Sequence, residues 1–515
     1  MSAPTHPLVL TAEQMRGADR GAVEALGLPS LLLMENAGRG VAALVVARAA
    51  AGPVAVVCGA GANGGDGFVI ARHLAQRGFG ARVLLCAPRA RIDGDAAVML
   101  GALERAGGGV EDGDAWDEAR WRLALAGARV VVDAIFGIGL RDDVTGVPAA
   151  ALAAMNATSA DKVAVDVPSG LDADTGRVRG VAFRADVTAT MGARKLGLVL
   201  DADVPVGRIE VIDLGVPIAP LADAGPLARW LDGGVVRADL PRRGATAHKG
   251  SAGHLLVIAG SAGKTGAAVL AGRAALRGGV GLVTVASTAA GQAALDSKVV
   301  EIMTERYTDT DDADARESAN RLAALAGKMR AVAIGPGIPT GPGMRAVVRD
   351  LVARLTVPMV VDADALNMLG TDVGRVLSNV AGPRILTPHP GEMARLIGKT
   401  TAEVQADRLG VARALATRTR SVVVLKGART LVAAPDGTVF INPTACGALG
   451  TAGSGDVLTG LIGGLLAQGM TPLSAACAGV FIHGAAGERV ATRLGSGLTA
   501  GDLPDAIADV IQTGL

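Results

Sequence analysis

The chain is short of aromatic residues, of cysteine and of any excess of charge. Its 515 residues include six Phe, three Trp and one Tyr, too few to supply the stacking platforms on which single-stranded bases are held. Lys and Arg number 50 against 49 Asp and Glu, a formal charge of +1, whereas a nucleic-acid binder shows a basic excess or stripe. Nucleic acid is therefore not an expected partner. The four cysteines, Cys58, Cys86, Cys446 and Cys477, lie far apart with no C-x-x-C pair. That excludes a disulfide scaffold and a zinc cage and points to a reducing cytoplasm. The opening MSAPTHPLVL has no basic region followed by an apolar run, so no signal peptide is expected. Uninterrupted apolar runs of membrane length are missing too. Residues 457–487 carry no charge, but Gln468, Pro472, His483 and several glycines break them up, which predicts buried helices and no membrane partner.

What is abundant is Ala, Val, Leu and, above all, 72 Gly. Small residues suit helices packed on a sheet, and glycines suit backbone brought close to a ligand. The length predicts two or three domains at roughly 100–200 residues each. Thr11-Ala12-Glu13-Gln14 has the form of a capping box, with Gly27 as the stop of its helix. A second helix is expected from Pro29. Apolar runs at 54–59, 82–87, 129–135, 162–167, 185–190 and 208–214 alternate with helical stretches, the pattern of a parallel sheet covered on both faces. Prolines 217, 220, 226 and 241 punctuate the chain, and a second alternation follows, with strands at 254–259, 280–286, 331–335, 358–362, 384–387 and 421–426. A hairpin is expected over 430–442, turning at Pro435-Asp436-Gly437, and helices after it. The expectation is an α/β protein of two unlike domains, 1–220 and 236–515, joined by a linker at 221–235.

In the first half, Gly59, Gly61 and Gly64 satisfy G-x-G-x-x-G between a strand and an expected helix at 68–77, the context in which amides and a helix end meet phosphate. The next strand ends Cys86-Ala87-Pro88-Arg89, without the acid that holds the ribose of NAD in an ordinary dehydrogenase. Asp133 and Asp166 end strands where ligands collect. Each reads equally as a helix cap or as a chemical group. With Asn63 and Ser169 they offer oxygen ligands for a monovalent cation. Lys195 reads as a solvated loop lysine or as a functional one.

These segments carry a resemblance. GANGGDGFVIARHL, VVVDAIFGIGL and DVPSGLDADTG resemble, in order and spacing, the Rossmann-like epimerase domain that acts on the hydrated dinucleotides NADHX and NADPHX. The resemblance implies K⁺ held by Asn63, Asp133 and Ser169. It implies substrate contacts from Ala62, Asn63, Gly64, Gly65 and Asp66, from Gly137, Ile138, Gly139, Leu140, Arg141, Asp142 and Asp143, and from Asp166. The family commonly has Asn where this chain has Ala62, so a side-chain contact is lost there. Inverting C6 of the hydrated ring needs a proton donor and acceptor, and Asp166 is the candidate.

In the second half, Gly260-Ser-Ala-Gly-Lys-Thr-Gly266 fails as a Walker loop because position 258 is Ile258. Thr451-Ala-Gly-Ser-Gly-Asp456 is stronger: small residues opening a helix expose amides to a phosphoryl group, with an acid beside it. Asp362 and Asp364 read as water-mediated Mg²⁺ positions or as helix caps. Together with Lys426-Gly427-Ala428-Arg429-Thr430, Gly335-Pro336-Gly337 and Thr387-Pro388-His389-Pro390-Gly391-Glu392, the motif is similar to the ribokinase-like, ADP- or ATP-dependent NAD(P)HX dehydratases. By that resemblance Ala267, Gly337, His389 and Asp456 contact substrate. Lys426 to Thr430 and Gly455 hold the nucleotide, Asp456 is the catalytic base, and Mg²⁺ serves the phosphates. His389 alone would otherwise read as a strand-end histidine bonded in the core. A homo-oligomer in the cytoplasm is expected. Two other readings are weighed: a ribokinase-like small-molecule kinase with a regulatory N-terminal domain, and an N-terminal ligand-sensing or scaffold module without catalysis.

Overall fold

The computed structural model describes residues 7–49, 52–217, 228–242, 244, 246, 248–308 and 315–513. The chain divides into two compact units, Leu8–Leu227 and Ala228–Leu515, the second also taking in Pro7. Of the segment expected as a linker, 221–227 lie outside the described residues, and a strand begins at Ala228.

The first unit opens with a short strand, β1 (Leu8–Leu10), and the helix Ala12–Leu26. Thr11 caps that helix as its sequence predicts: Thr11 Oγ1 accepts from the Gln14 amide while Gln14 returns the bond to the Thr11 amide, and Gly27 ends it at φ +68°. The sheet contains β2 (Val54–Cys58), β3 (Ala81–Leu85), β4 (Val110–Asp112), β5 (Val130–Ala134), β6 (Asp161–Val165), β7 (Val187–Met191) and β9 (Arg208–Ile212), after β8 (Arg194–Lys195), which pairs with β1. The order is β4-β3-β2-β5-β6-β7-β9, all parallel. Its central strands are buried on both faces, which is why they read as unbroken Val and Ala runs. The helix Ser30–Ala49 is long and apolar enough to cross a membrane, but Val41, Ala42, Val45 and Ala49 are fully buried in this unit's core.

The second unit contains β10 (Ala228–Trp230), β11 (His254–Ile258), β12 (Leu282–Thr288), β13 (Met303–Tyr307), β14 (Ala331–Ile334), β15 (Met359–Val361), β16 (Arg384–Leu386), β17 (Val422–Leu425), β18 (Leu431–Ala433) and β19 (Val439–Ile441). Their order is β13-β12-β11-β14-β15-β16-β17-β18-β19-β10. Pairing is parallel except across β17-β18 and β18-β19, the expected hairpin region. The uncharged stretch 457–487 falls in two helices, Ser454–Ala467 and Pro472–Leu494, whose residues are mostly buried. The α/β class expected of both halves is what the structure shows.

One local expectation is corrected. The helix after β2 begins at Ala62, not at 68, so Asn63 to Asp66 lie within its first turns. Two adjacent glycines disfavour a helix by about 1 kcal/mol each relative to Ala. Close packing overrides that preference: a Cβ on Gly64 would stand 2.0 Å from Gly59 O, and one on Gly65 would stand 2.7 Å from Met34 Sδ.

Candidate active sites

In the first unit the strand order reverses direction between β2 and β5, which opens a crevice at their carboxyl ends. A cavity of about 870 Å³ lies in this unit, lined by Asp19, Ala62, Asn63, Asp66, Gly137 to Leu140, Asp166 and Lys195 among others. Gly64 and Gly65 are buried behind it in the helix, and Arg141, Asp142 and Asp143 are exposed.

Asp166 follows β6 with φ +67°, a left-handed backbone that costs a non-glycine residue about 1–3 kcal/mol. The structure holds it there by polar contacts. Lys195 Nζ donates to Asp166 Oδ1 at 2.5 Å, to Met191 O at 2.7 Å and to Thr190 Oγ1 at 3.1 Å, and the Met191 amide donates to Asp166 Oδ1 at 3.2 Å. Lys195 is fully buried. It is thus not a solvated loop lysine; β8 pairs it with Leu10 and turns its ammonium inward. Burial pushes the Asp19 carboxyl up to about 6, Lys195 opposes the shift and Asp166 adds to it. Burial, then Asp166 and Asp19, drive Asp66 well above the usual range. Asp19 is the residue that sequence reading missed. Its only signal is an acid four places after the buried Met15 on an amphipathic helix.

Asn63, Asp133 and Ser169 meet around the Phe136 backbone. The Ser169 hydroxyl donates to Asp133 Oδ1 at 2.6 Å and the Ser169 amide to Oδ2 at 2.7 Å. The Phe136 amide donates to Ser169 Oγ at 2.8 Å, and Asn63 Nδ2 donates to Phe136 O at 3.0 Å. Burial lifts the Asp133 carboxyl to about 6, against the pull of its bonds from Ser169. Gly170 completes the turn at φ +88°, and a Cβ there would stand 1.8 Å from Val181 O. Gly170→Ala should therefore destabilise this unit by about 3 kcal/mol, read from urea melts.

In the second unit the reversal lies between β11 and β14. Gly337 follows β14, and a Cβ on it would stand 3.3 Å from the Ala267 Cβ and 2.9 Å from Lys264 O, so Ala267 and Gly337 form one wall. His389 follows β16 and caps the helix Pro390–Ile397. Its Nδ1 accepts from the amides of Gly391 at 3.0 Å and Glu392 at 3.3 Å, which leaves Nε2 as the donor nitrogen. The side chain is half exposed, so it is not a core histidine. Burial holds it below the usual histidine range, with Lys426 and Arg395 adding and Glu392 opposing.

Lys426 follows β17 and donates to Asp362 Oδ1 at 2.8 Å. A Cβ on Gly455 would stand 3.3 Å from Lys426 Nζ, so the ammonium lies under the glycine loop. Asp362 is not a helix cap by its side chain. Besides Lys426 it accepts from Thr387 Oγ1 at 2.8 Å and Thr459 Oγ1 at 2.7 Å, which orients the lysine. The loop 427–430 is pinned by Arg408, whose Nη1 donates to Ala428 O at 2.7 Å, and by Arg429, whose Nη1 donates to Pro443 O at 2.8 Å. Gly453 takes φ +90° and opens the helix Ser454–Ala467. At its second and third positions the amides of Gly455 and Asp456 have no acceptor inside the helix. Burial, then Asp362, lift Asp456 to about 7, with Lys426 opposing. A second cavity of about 520 Å³ beside this loop is lined by Cys446 to Ala448, Gly450, Thr451, Ala491, Gly495 and Ser496.

One unit thus carries a buried acid–lysine pair in a cavity of about 870 Å³, and the other an amide-lined helix end with a lysine and an acid held at about 7. Together they define a two-site α/β enzyme of nucleotide chemistry. Family models agree: one described as YjeF-related protein N-terminus matches residues 30–197, and one described as NAD(P)H-hydrate dehydratase matches 255–510, in keeping with the ribokinase-like class expected of the second unit. The bifunctional NAD(P)H-hydrate repair enzyme Nnr of Moorella thermoacetica is 44% identical over 514 residues, 98% of this chain and 96% of the relative. That of Escherichia coli is 36% identical, over 97% and 93%. A crystal structure of the ADP/ATP-dependent NAD(P)H-hydrate dehydratase of Bacillus subtilis, co-crystallised with ATP/Mg²⁺, is 34% identical, with a TM-score of 0.49 over 56% of this chain and 98% of that one. The chain belongs to the family of bifunctional NAD(P)H-hydrate repair enzymes.

Proposed function

We propose that the first unit interconverts the R and S forms of NADHX and NADPHX, and that the second dehydrates the S form to NADH or NADPH at the expense of a phosphoanhydride bond of ADP or ATP. The observation that carries this reading is the presence of two acid/base centres, Asp166 with Lys195 and Asp456 with Lys426 and Asp362, each within its own sheet unit. A kinase with a merely regulatory first unit would have no use for a buried Asp166–Lys195 pair.

In the second unit Asp456 takes the proton of the C6 hydroxyl as its oxygen attacks the terminal phosphoryl group. The amides of Gly455 and Asp456 and the Lys426 ammonium stabilise the charge on the transferring group. Phosphate then leaves C6 with its electron pair, the proton at C5 is lost, and the ring double bond is restored. Hydroxide is a poor leaving group and phosphate a good one, which explains the use of a phosphoryl donor. Ala267, Gly337 and His389 face the dinucleotide, and Lys426, Gly427, Ala428, Arg429, Thr430 and Gly455 face the donor. In the first unit Asp166 exchanges a proton with the C6 hydroxyl, and Lys195 fixes the carboxylate. Ala62 to Asp66 and Gly137 to Asp143 supply the substrate loops.

The all-oxygen set of Asn63, Asp133, Ser169 and the Phe136 carbonyl suits K⁺, which would supply positive charge beside Asp133 and draw the substrate loops together. Among the described residues no group of three His, Cys, Asp or Glu side chains is arranged for a metal ion. That suits Mg²⁺ held chiefly by donor phosphates and water. The same reading places the enzyme in the cytoplasm as a homo-oligomer acting on small molecules, without nucleic acid or membrane as partner; sedimentation analysis tests the assembly. The function is tested by mixing the protein with both epimers of NADHX and following reduced-nicotinamide absorbance with ADP, ATP or neither. Full recovery with one nucleotide, and none without, is expected. Recovery limited to the S fraction would overturn the epimerase assignment.

A further inference from the structure

The first unit's cavity holds more carboxyl groups than one acid/base requires. Asp19, Asp66 and Asp166 share it with the Lys195 ammonium, and the other charged residues on its walls are Arg16, Arg91, Asp95 and Asp114. Lys195 is committed to Asp166. Asp19 comes from a different element, the helix Ala12–Leu26, which also brings Met15 and Arg16 to the cavity. Arg16 ties that helix to the substrate loop by donating to Ile138 O at 3.2 Å. The Asp19 carboxyl takes part in no hydrogen bond with the protein among the described residues, though it feels the charges of Lys195 and Asp166, so its oxygens are left to the contents of the cavity.

We propose that Asp19 is the second proton-transfer group of the epimerisation, serving the face of the hydrated ring that Asp166 does not reach. The proposal rests on the epimerase reading above. C6 can invert by ring opening or by loss and return of oxygen; two carboxyl groups from separate elements suit the second route, in which oxygen leaves from one face and enters on the other. Protonated Asp19 gives its proton to the departing hydroxyl as the C6–O bond breaks and the N1 lone pair closes an N1=C6 bond; water leaves and Asp19 remains as carboxylate. On the other face Asp166 takes a proton from a second water as its oxygen bonds C6 and the electron pair returns to N1. One water leaves and one enters. The enzyme ends with Asp166 protonated and Asp19 ionised, poised for the reverse reaction. Burial, which raises the Asp19 carboxyl to about 6, keeps its protonated form accessible near neutrality.

The test uses the full-length protein with each epimer separately in heavy-oxygen water, scoring both interconversion and label at C6 above the uncatalysed rate. Asp19→Asn should lower interconversion at least about 100-fold while label still enters one epimer with retention, because Asp166 alone can expel and return oxygen on its own face. Asp166→Asn should show the mirror pattern, and Asp19→Glu should recover part of the interconversion. Interconversion by Asp19→Asn within about threefold of the parent, or loss of exchange from both epimers in a variant that melts like the parent, would overturn the role of Asp19 alone. A parent protein that interconverts nothing would overturn the epimerase reading together with it.

Discussion

Asp456→Asn should abolish dehydration, lowering kcat by about 10²–10⁴ as expected for loss of a general base, while leaving epimerisation at the parent rate. The two activities draw on acid/base centres in separate units, so one assay of substrate loss and one of epimer ratio on the same preparation suffice. Equal loss of both activities in a folded variant would count against two sites. The parent's own dehydration should rise with pH through about 7, because the base works as carboxylate and burial holds Asp456 at about 7.

The neighbours of Asp456 make that profile adjustable in both directions. Asp362 raises Asp456 and Lys426 lowers it. Asp362→Asn should therefore move the acid limb to lower pH by about one unit, and Lys426→Met should move it upward, each with reduced kcat because the Lys426–Asp362 bond at 2.8 Å is lost. A limb that stays in place in both variants would remove Asp456 as the titrating group. The same shift bears on stability. With its folded-state pKa above the unfolded value of 3.8, Asp456 costs no stability below pH 3.8, and an increasing amount as pH rises to about 7. Asp456→Asn should thus melt above the parent at pH 8 and level with it in acid.

The sequence carried those features that local chemistry determines. The Thr11 capping box, the buried Val runs and the glycine-opened helix at Gly453 all depend on neighbours within a few residues, and all are present. Edge strands were not visible in the same way. β13 reads MTERY, with Glu305 and Arg306 exposed at the margin of the sheet, so it lacks the apolar run by which a buried strand announces itself. The start of the helix at Ala62 was hidden because glycine propensity argues against it and only contact with Gly59 and Met34 favours it. The chemistry shows the same division. Asp166 and Asp456 stand in motifs with their own local signal. Lys195 owes its burial to pairing with Leu10, 185 residues earlier in sequence, and Asp362 owes its role to Thr387, Lys426 and Thr459 arriving from three other elements. Contacts of that range leave no periodicity or spacing to read.

Lys195→Met should be the most damaging single change in the first unit. The ammonium is fully buried and Asp166 is buried beside it, so the substitution leaves a carboxylate in a low-dielectric wall without its partner, at a cost of about 3–5 kcal/mol. It also removes the donors to Met191 O and Thr190 Oγ1, which tie β8 to the end of β7 beside Asp166. The expected result is a large fall in the urea midpoint of this unit's transition and loss of epimerisation, with dehydration of the S form preserved. Asp166→Asn combined with Lys195→Met should recover much of the stability, because no unpaired charge remains, and none of the epimerisation. Recovery of stability without activity separates the structural role of the ion pair from the chemical role of Asp166. A double variant as unstable as Lys195→Met alone would show that the buried charge is not the source of the loss.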